Sequence, residues 1–274
     1  MHFAFVISSN LGYRIPNLFK NDSSFMEFET ALQLLQKCGF GGVELNLDSD
    51  DPGVLSRIRD SILEQGLRLA AVGTGLIYAG KGLSFTDRDS TKRGKALATV
   101  KELIRFAGSD HAILVIGLVR GVPTEGIDAR KLFRHSLVEC DKAATEYGTR
   151  VALEAINRYE TPILNTATDV ATVIQEERLA ATGLLLDSFH MNIEERSIEE
   201  TIRKHFTKTV HFHIADSNRW PPGYGHLKVE DHLRLLEKLG YNGWVSTEAL
   251  PKPDNTKAVT ETARFLRTHN FIEG

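Results

Sequence analysis

The sequence predicts a (β/α)8 TIM barrel, and three observations carry that expectation. Short apolar runs alternate with longer amphipathic ones from end to end, giving eight strand–helix units. Four of the runs finish on an acid or an imidazole: Val151-Ala-Leu-Glu154, Leu184-Leu-Leu-Asp187, Val210-His-Phe-His213 and Val245-Ser-Thr-Glu248. Barrels place their chemistry at the C-terminal ends of their strands. The first run leads into Ile7-Ser-Ser-Asn-Leu-Gly-Tyr, without the glycine-rich phosphate loop that a doubly wound sheet more often carries.

Strands are expected at 3–8, 42–47, 69–73, 112–117, 150–155, 183–187, 209–215 and 244–248. They are β-branched or leucine-rich runs of the kind that parallel sheets bury on both faces. Between them, stretches such as Phe25-Met-Glu-Phe-Glu-Thr-Ala-Leu-Gln-Leu-Leu and Lys131-Leu-Phe-Arg-His-Ser-Leu-Val-Glu-Cys repeat apolar residues at i, i+3, i+4 and i+7, as amphipathic helices do. Gly39, Gly66, Gly148 and Gly240 follow the ends of helical stretches, where a left-handed residue is wanted. Two connections are oversized, 73–89 and 216–225. Both should emerge at the strand C-termini, where long loops close over a substrate or form irregular surface.

No Pro/Gly/Ser-rich linker divides the 274 residues, so one domain over 1–274 is expected. The 33 basic and 36 acidic residues leave a formal charge of −3, which gives no electrostatic reason for a nucleic-acid partner. Cys38 and Cys140 fall within helical patterns, as reduced core thiols of a cytosolic protein do. The opening Met1-His-Phe-Ala-Phe-Val-Ile lacks the basic start and long apolar core of a signal peptide. No apolar stretch approaches the roughly 20 residues that span a bilayer. A soluble, cytoplasmic protein without a membrane partner is expected.

Three carboxylates converging with an imidazole would repel one another unless a cation sat between them, so Glu154, Asp187, His213 and Glu248 read as a divalent metal site. Hard oxygens with one imidazole favour Mn²⁺, with Mg²⁺ or Co²⁺ as alternatives, in an open octahedral site. Taken singly, Glu154 and Asp187 read equally well as salt-bridged strand ends. His211 and His213 alternate along one strand and face the same side; His213, nearer the C-terminal end, is assigned to the metal and His211 to support or packing. Glu160 lies in the loop after Glu154, and His190 three residues after Asp187. Arg120, just past the fourth strand, could meet an anionic substrate group or be a surface arginine. Trp220 and Phe189 could wall the site or pack beneath their loops. His2, His111, His135, His205 and His232 read as surface or structural.

Several motifs resemble the ketose 3-epimerases, the D-tagatose and D-psicose 3-epimerase group of the xylose-isomerase-like barrels. They are Glu154-Ala-Ile-Asn-Arg-Tyr-Glu-Thr, Asn165-Thr-Ala, Asp187-Ser-Phe-His-Met-Asn-Ile-Glu-Glu, His211-Phe-His-Ile-Ala-Asp-Ser-Asn-Arg and Pro222-Gly-Tyr-Gly-His. They run in order through the second half of the chain. Gly82-Leu-Ser-Phe-Thr, Val115-Ile-Gly-Leu-Val-Arg-Gly and Asn218-Arg-Trp-Pro-Pro-Gly-Tyr-Gly-His are similar to the 5-keto-L-gluconate epimerase branch. The resemblance implies one divalent metal on Glu154, Asp187, His213 and Glu248, with Glu154 and Glu248 also serving as acid and base. It implies sugar contacts from Glu160, His190 and Arg219, and a homo-oligomer, dimer or tetramer. Thr74 stands where D-tagatose-type enzymes often carry cysteine, which leaves open the preference at the C1 or distal end of the sugar.

The residue types suit that chemistry. A proton beside a ketone becomes removable when a metal chelating O2 and O3 stabilises the enediolate, and carboxylates on opposite faces of C3 can then invert it. An aldose–ketose isomerase, including the hydroxypyruvate-isomerase type, would use the same metal to move hydrogen between C1 and C2. A non-catalytic sugar-binding barrel would not need glutamates on both sides of one carbon. An apurinic-site endonuclease normally needs further histidines, where this chain has Val72-Gly-Thr-Gly and Ile116-Gly-Leu-Val.

Overall fold

The computed structural model describes residues 1–123 and 128–273. Eight parallel strands run β1 (His2–Ser8), β2 (Gly42–Asn46), β3 (Arg68–Gly73), β4 (Ile113–Ile116), β5 (Arg150–Glu154), β6 (Thr182–Asp187), β7 (Thr209–Ile214) and β8 (Trp244–Thr247). Each pairs with the next, and β8 pairs back to β1 from His2↔Trp244 to Phe5↔Thr247, closing the barrel. A two-residue strand, Tyr13–Arg14, adds to the end of β1.

Period-two alternation divides the strand residues between two cores. Val72, Leu114, Leu153, Leu186 and Phe212 face outward into the main apolar core, while Ala71, Val115, Ala152, Leu185 and Val210 form a separate small cluster inside. Two residues further on, the same inward phase carries Ala152 to Glu154 and Leu185 to Asp187. In β7 the phase is reset. Leu184 pairs with Thr209 but Leu185 pairs with His211, leaving Val210 as a bulged residue, after which His211 and His213 both point inward.

The helices are α1 (Asp22–Lys37), α2 (Pro52–Glu64), α3 (Gly75–Lys81), α4 (Ser90–Ser109), α5 (Ala129–Glu146), α6 (Ala167–Glu176), α7 (Ser188–Glu194), α8 (Ile198–His205), α9 (Val229–Lys238) and α10 (Asn255–Thr268). The helical repeat noted in the sequence is the buried face of α1, with Phe25, Phe28, Leu32 and Leu35 inside and Met26 exposed. Gly39, Gly66, Gly148 and Gly240 take φ of 84°, 65°, 64° and 83°, as expected. Each closes its helix with paired bonds; at α1, Gly39 N–H donates to Gln36 and Phe40 N–H to Leu35. His111, Arg178 and Asn270 close α4, α6 and α10 in the same way at φ of 53–57°. Glycine alone therefore does not mark those three ends.

The two oversized connections differ in kind. Much of 73–89 is helix α3, whereas 216–225 stays irregular and is held by the side chains of Asp216 and Asn218. The Asp216 carboxylate accepts from the N–H groups of Ser217, Gly223 and Leu227 at 2.7–3.0 Å. Cys38 and Cys140 are free and buried. Among the described residues no helix is long and apolar enough to cross a membrane.

Candidate functional site

Glu154, Asp187, His213 and Glu248 meet at the C-terminal mouth of the barrel, all buried, with one ligand atom from each lying within 4.8 Å of all the others. Nδ1 of His213 faces the three carboxylates, at 3.3 Å from Glu248, 3.6 Å from Asp187 and 3.8 Å from Glu154. Asp187 is divided between two tasks. Its Oδ1 caps α7 through Phe189 N–H at 2.7 Å, leaving Oδ2 for the cluster.

A residue the sequence reading passed over fixes the histidine. Glu44 of β2, 1% exposed, accepts from Nε2 of His213 at 3.1 Å and from Nε2 of His211 at 2.8 Å. With Nε2–H so engaged, Nδ1 of His213 is the nitrogen offered to the mouth, the arrangement by which carboxylates set the tautomer of metal-binding imidazoles. Burial opposes the charge on Glu44, but the two histidines outweigh it and hold the carboxyl below its ordinary range. Its signal was legible: an acid in the middle of an all-buried strand needs a partner.

Arg219 reaches the site from the 216–225 loop, where it adopts φ of 62°. Its guanidinium donates to Oδ2 of Asp187 at 2.5 Å and to Oε2 of Glu248, and lies over the Phe189 ring. Burial works against the charge on Asp187, yet Arg219, His190 and His213 overcome it and keep the carboxyl ionised. At Glu154 the same His213 and Arg219 also favour the charged form but are outweighed. Burial, then Glu248, pushes its carboxyl well above the carboxylate range.

His190 sits against the cluster in a defined orientation. Asn157 donates to its Nδ1 at 2.7 Å and to Glu160 Oε1 at 2.8 Å, so Nε2–H of His190 faces Oε1 of Glu154 at 3.5 Å. Asn157 is a second residue the sequence reading missed. Glu160, half exposed, stands at the rim of the cavity that Glu154, His190, Arg219 and Glu248 also line. About 50 Å³ of that cavity is open.

Arg120 corrects an expectation. It is fully buried and makes no contact with the cavity, because its guanidinium donates to the backbone oxygens of Gly117, Ile163, Leu164, Ile116 and Glu154. It ties the turn after β4 to the end of β5 and does not line the cavity. Trp220 stacks near Tyr224 in its own loop. His2, His111, His135, His205 and His232 all lie outside the cluster.

The donor set fits a divalent ion on structural grounds. Oε1 of Glu154 and Nδ1 of His213 are both buried without a hydrogen-bond partner, and they face each other. Two such orphans are costly unless something binds them. We expect His213→Ala to lose most Mn²⁺ affinity in calorimetric titration, and Glu44→Gln to lose about 10–100-fold. His211→Ala should lose less than His213→Ala. The reverse order, or an unchanged Glu44→Gln, would show that the metal contacts are assigned wrongly.

A family model described as xylose isomerase-like TIM barrel matches residues 32–269. The ketose 3-epimerase of Arthrobacter globiformis is 34% identical over 222 residues, 80% of this chain and 76% of that one. A putative hydroxypyruvate isomerase of Streptomyces coelicolor is 30% identical over 254 residues, 82% of this chain and 88% of that one. The 3-dehydro-D-guloside 4-epimerase of Escherichia coli is 33% identical over 140 residues, 51% of this chain, and the match spans only 53% of that protein.

Proposed function

Because the chain belongs to the xylose isomerase-like TIM-barrel family and is a sugar epimerase of that superfamily, we propose that it inverts the carbon beside the ketone, C3, of a ketose or keto-uronate. Glu154 and Glu248 exchange protons on opposite faces of that carbon. The observation that carries this reading is the pair of glutamates flanking Nδ1 of His213, one with an unpartnered buried oxygen. Asp187, fixed by its helix cap and Arg219, serves as an anchor only.

One divalent ion, Mn²⁺ ahead of Mg²⁺ or Co²⁺, would be held by Glu154, Asp187, His213 and Glu248 and would draw charge from two neighbouring substrate oxygens, acidifying the C–H beside the ketone. Glu154 takes or delivers the proton on one face and Glu248 on the other. Nε2–H of His190 donates to O1 or O2, and Glu160 orients a hydroxyl at the rim. Arg219 must exchange its carboxylate contacts for sugar oxygens, since its guanidinium lies on Asp187 and Glu248 beneath a cavity too small for a hexose. We further propose a cytoplasmic homo-oligomer, dimer or tetramer.

A second reading, an aldose–ketose isomerase, is favoured by the likeness to the Streptomyces protein. One experiment separates the two. Free ketoses and keto-uronates are incubated with Mn²⁺-loaded protein in D2O and followed by NMR. The C3 epimer should carry deuterium from its first appearance, while recovered starting sugar stays protiated early. Deuterium at C1 or C2 would establish the isomerase instead, and epimer without deuterium would rule out two solvent-exchanging bases.

A further inference from the structure

A second cleft adjoins the reaction cavity, and nothing in the proposed C3 chemistry uses it. Both are built from the same three segments: Ser9 lines the cleft and Asn10 the cavity, Leu76 the cleft and Gly75 the cavity, and Asn46 lines both. The cleft holds about 400 Å³, against about 50 Å³ over the carboxylates. Small-molecule sites occupy ~300–1,000 Å³. A sugar anchored at Glu154 and Glu248 therefore has its free space on the Asn46 side.

Asn46 itself points to a ligand. It is 8% exposed, and its side chain makes no hydrogen bond among the described residues. Its Oδ1 lies so close to Gly73 that a Cβ there would sit 1.9 Å away. A carboxamide with its donor and acceptor free at the junction of two cavities offers both to a hydroxyl placed there.

The chemistry of the cleft selects a neutral, polyhydroxylated occupant. Leu18, Leu47 and Leu76 give it apolar wall, and Ser9 and Ser49 give it hydroxyls. Its cation, Lys20, is already neutralised by Asp48 at 3.0 Å, so no free charge waits for a carboxylate. Asn17 and Phe19 hold the wall at φ of 54° and 62°, conformations that non-glycine residues adopt at a cost and that cluster at binding sites. We infer that this cleft is a subsite for an uncharged glycosyl unit attached to the reacting sugar, so that the preferred substrate is a glycosylated ketose. The inference rests on the epimerase reading above.

The test compares D-fructose with its 1-O-, 4-O-, 5-O- and 6-O-glucosyl derivatives as substrates and, by calorimetry, as ligands of the Mn²⁺-loaded protein. At least one derivative should show a kcat/KM and an affinity ten-fold or more above fructose. Ser49→Trp, which fills the cleft away from the carboxylates, should abolish that advantage and leave fructose turnover unchanged, the latter also reporting that the variant folds. Fructose turned over as well as every derivative, or a Ser49→Trp loss equal on both, overturns the subsite alone. Tighter, Ser49-dependent binding of a glucosyl sugar without turnover supports the subsite and overturns the epimerase reading. Neither binding nor turnover of any of these sugars overturns both.

Discussion

Glu154→Gln and Glu248→Gln should each lower kcat for epimerisation by about 10²–10⁴-fold, the range in which a positioned acid or base contributes. An amide can still donate oxygen to a cation but cannot carry the proton. The two variants should differ in what they retain. With one glutamate intact, the proton on its face of C3 can still be removed and returned, so each variant should exchange solvent deuterium into one epimer and form almost none of the other. Glu154→Gln should preserve exchange in the epimer whose hydrogen faces Glu248, and Glu248→Gln in the other epimer. Deuterium entering both epimers in either variant would mean that a single base serves both faces. Metal content, measured in parallel, separates loss of the base from loss of the ion, since the same side chains belong to the proposed ligand set.

The barrel and most of this site were legible because apolar runs that alternate with amphipathic stretches and end on an acid or an imidazole are a strong signal. Glu154, Asp187, His213 and Glu248 come together at strand ends where the pattern put them. What the pattern hides is phase. The bulge at Val210 resets β7, and nothing in Thr209-Val-His-Phe-His announces it. Glu44 was passed over because a strand 42–47 read only as apolar conceals its acid, although that acid sets the histidine. Asn157 and Asp216 work through loop geometry, where contacts to near neighbours and, for Asn157, to the distant His190 depend on backbone turns that composition does not specify. Arg120 misled for the opposite reason. An arginine just past a strand end reads as exposed, whereas here the chain wraps five carbonyl oxygens around it.

That wrapping gives Arg120→Ala a large expected effect on stability and a uniform one on substrates. The guanidinium serves Gly117 at 3.0 Å, Ile163 at 2.9 Å, Ile116 at 3.3 Å and Leu164 at 3.4 Å, besides Glu154. Burial lowers its pKa to about 10, with Glu154 opposing, so it stays charged at neutral pH. Each buried carbonyl left without a donor costs about 1–3 kcal/mol, and removing a buried charge from its partners about 3–5 kcal/mol in all, since the terms are not additive. At about 2–4 °C per kcal/mol for a chain of this size, Tm should fall by roughly 6–20 °C. Arg120→Lys should recover little, because a point charge cannot reach five acceptors spread around a planar fork. The end of β5 is among the strapped groups, so the loss of turnover should be alike for a neutral ketose and for its uronate. A Tm within about 2 °C of the parent would show that water replaces the guanidinium at little cost, and a loss confined to the uronate would restore Arg120 as a carboxylate contact.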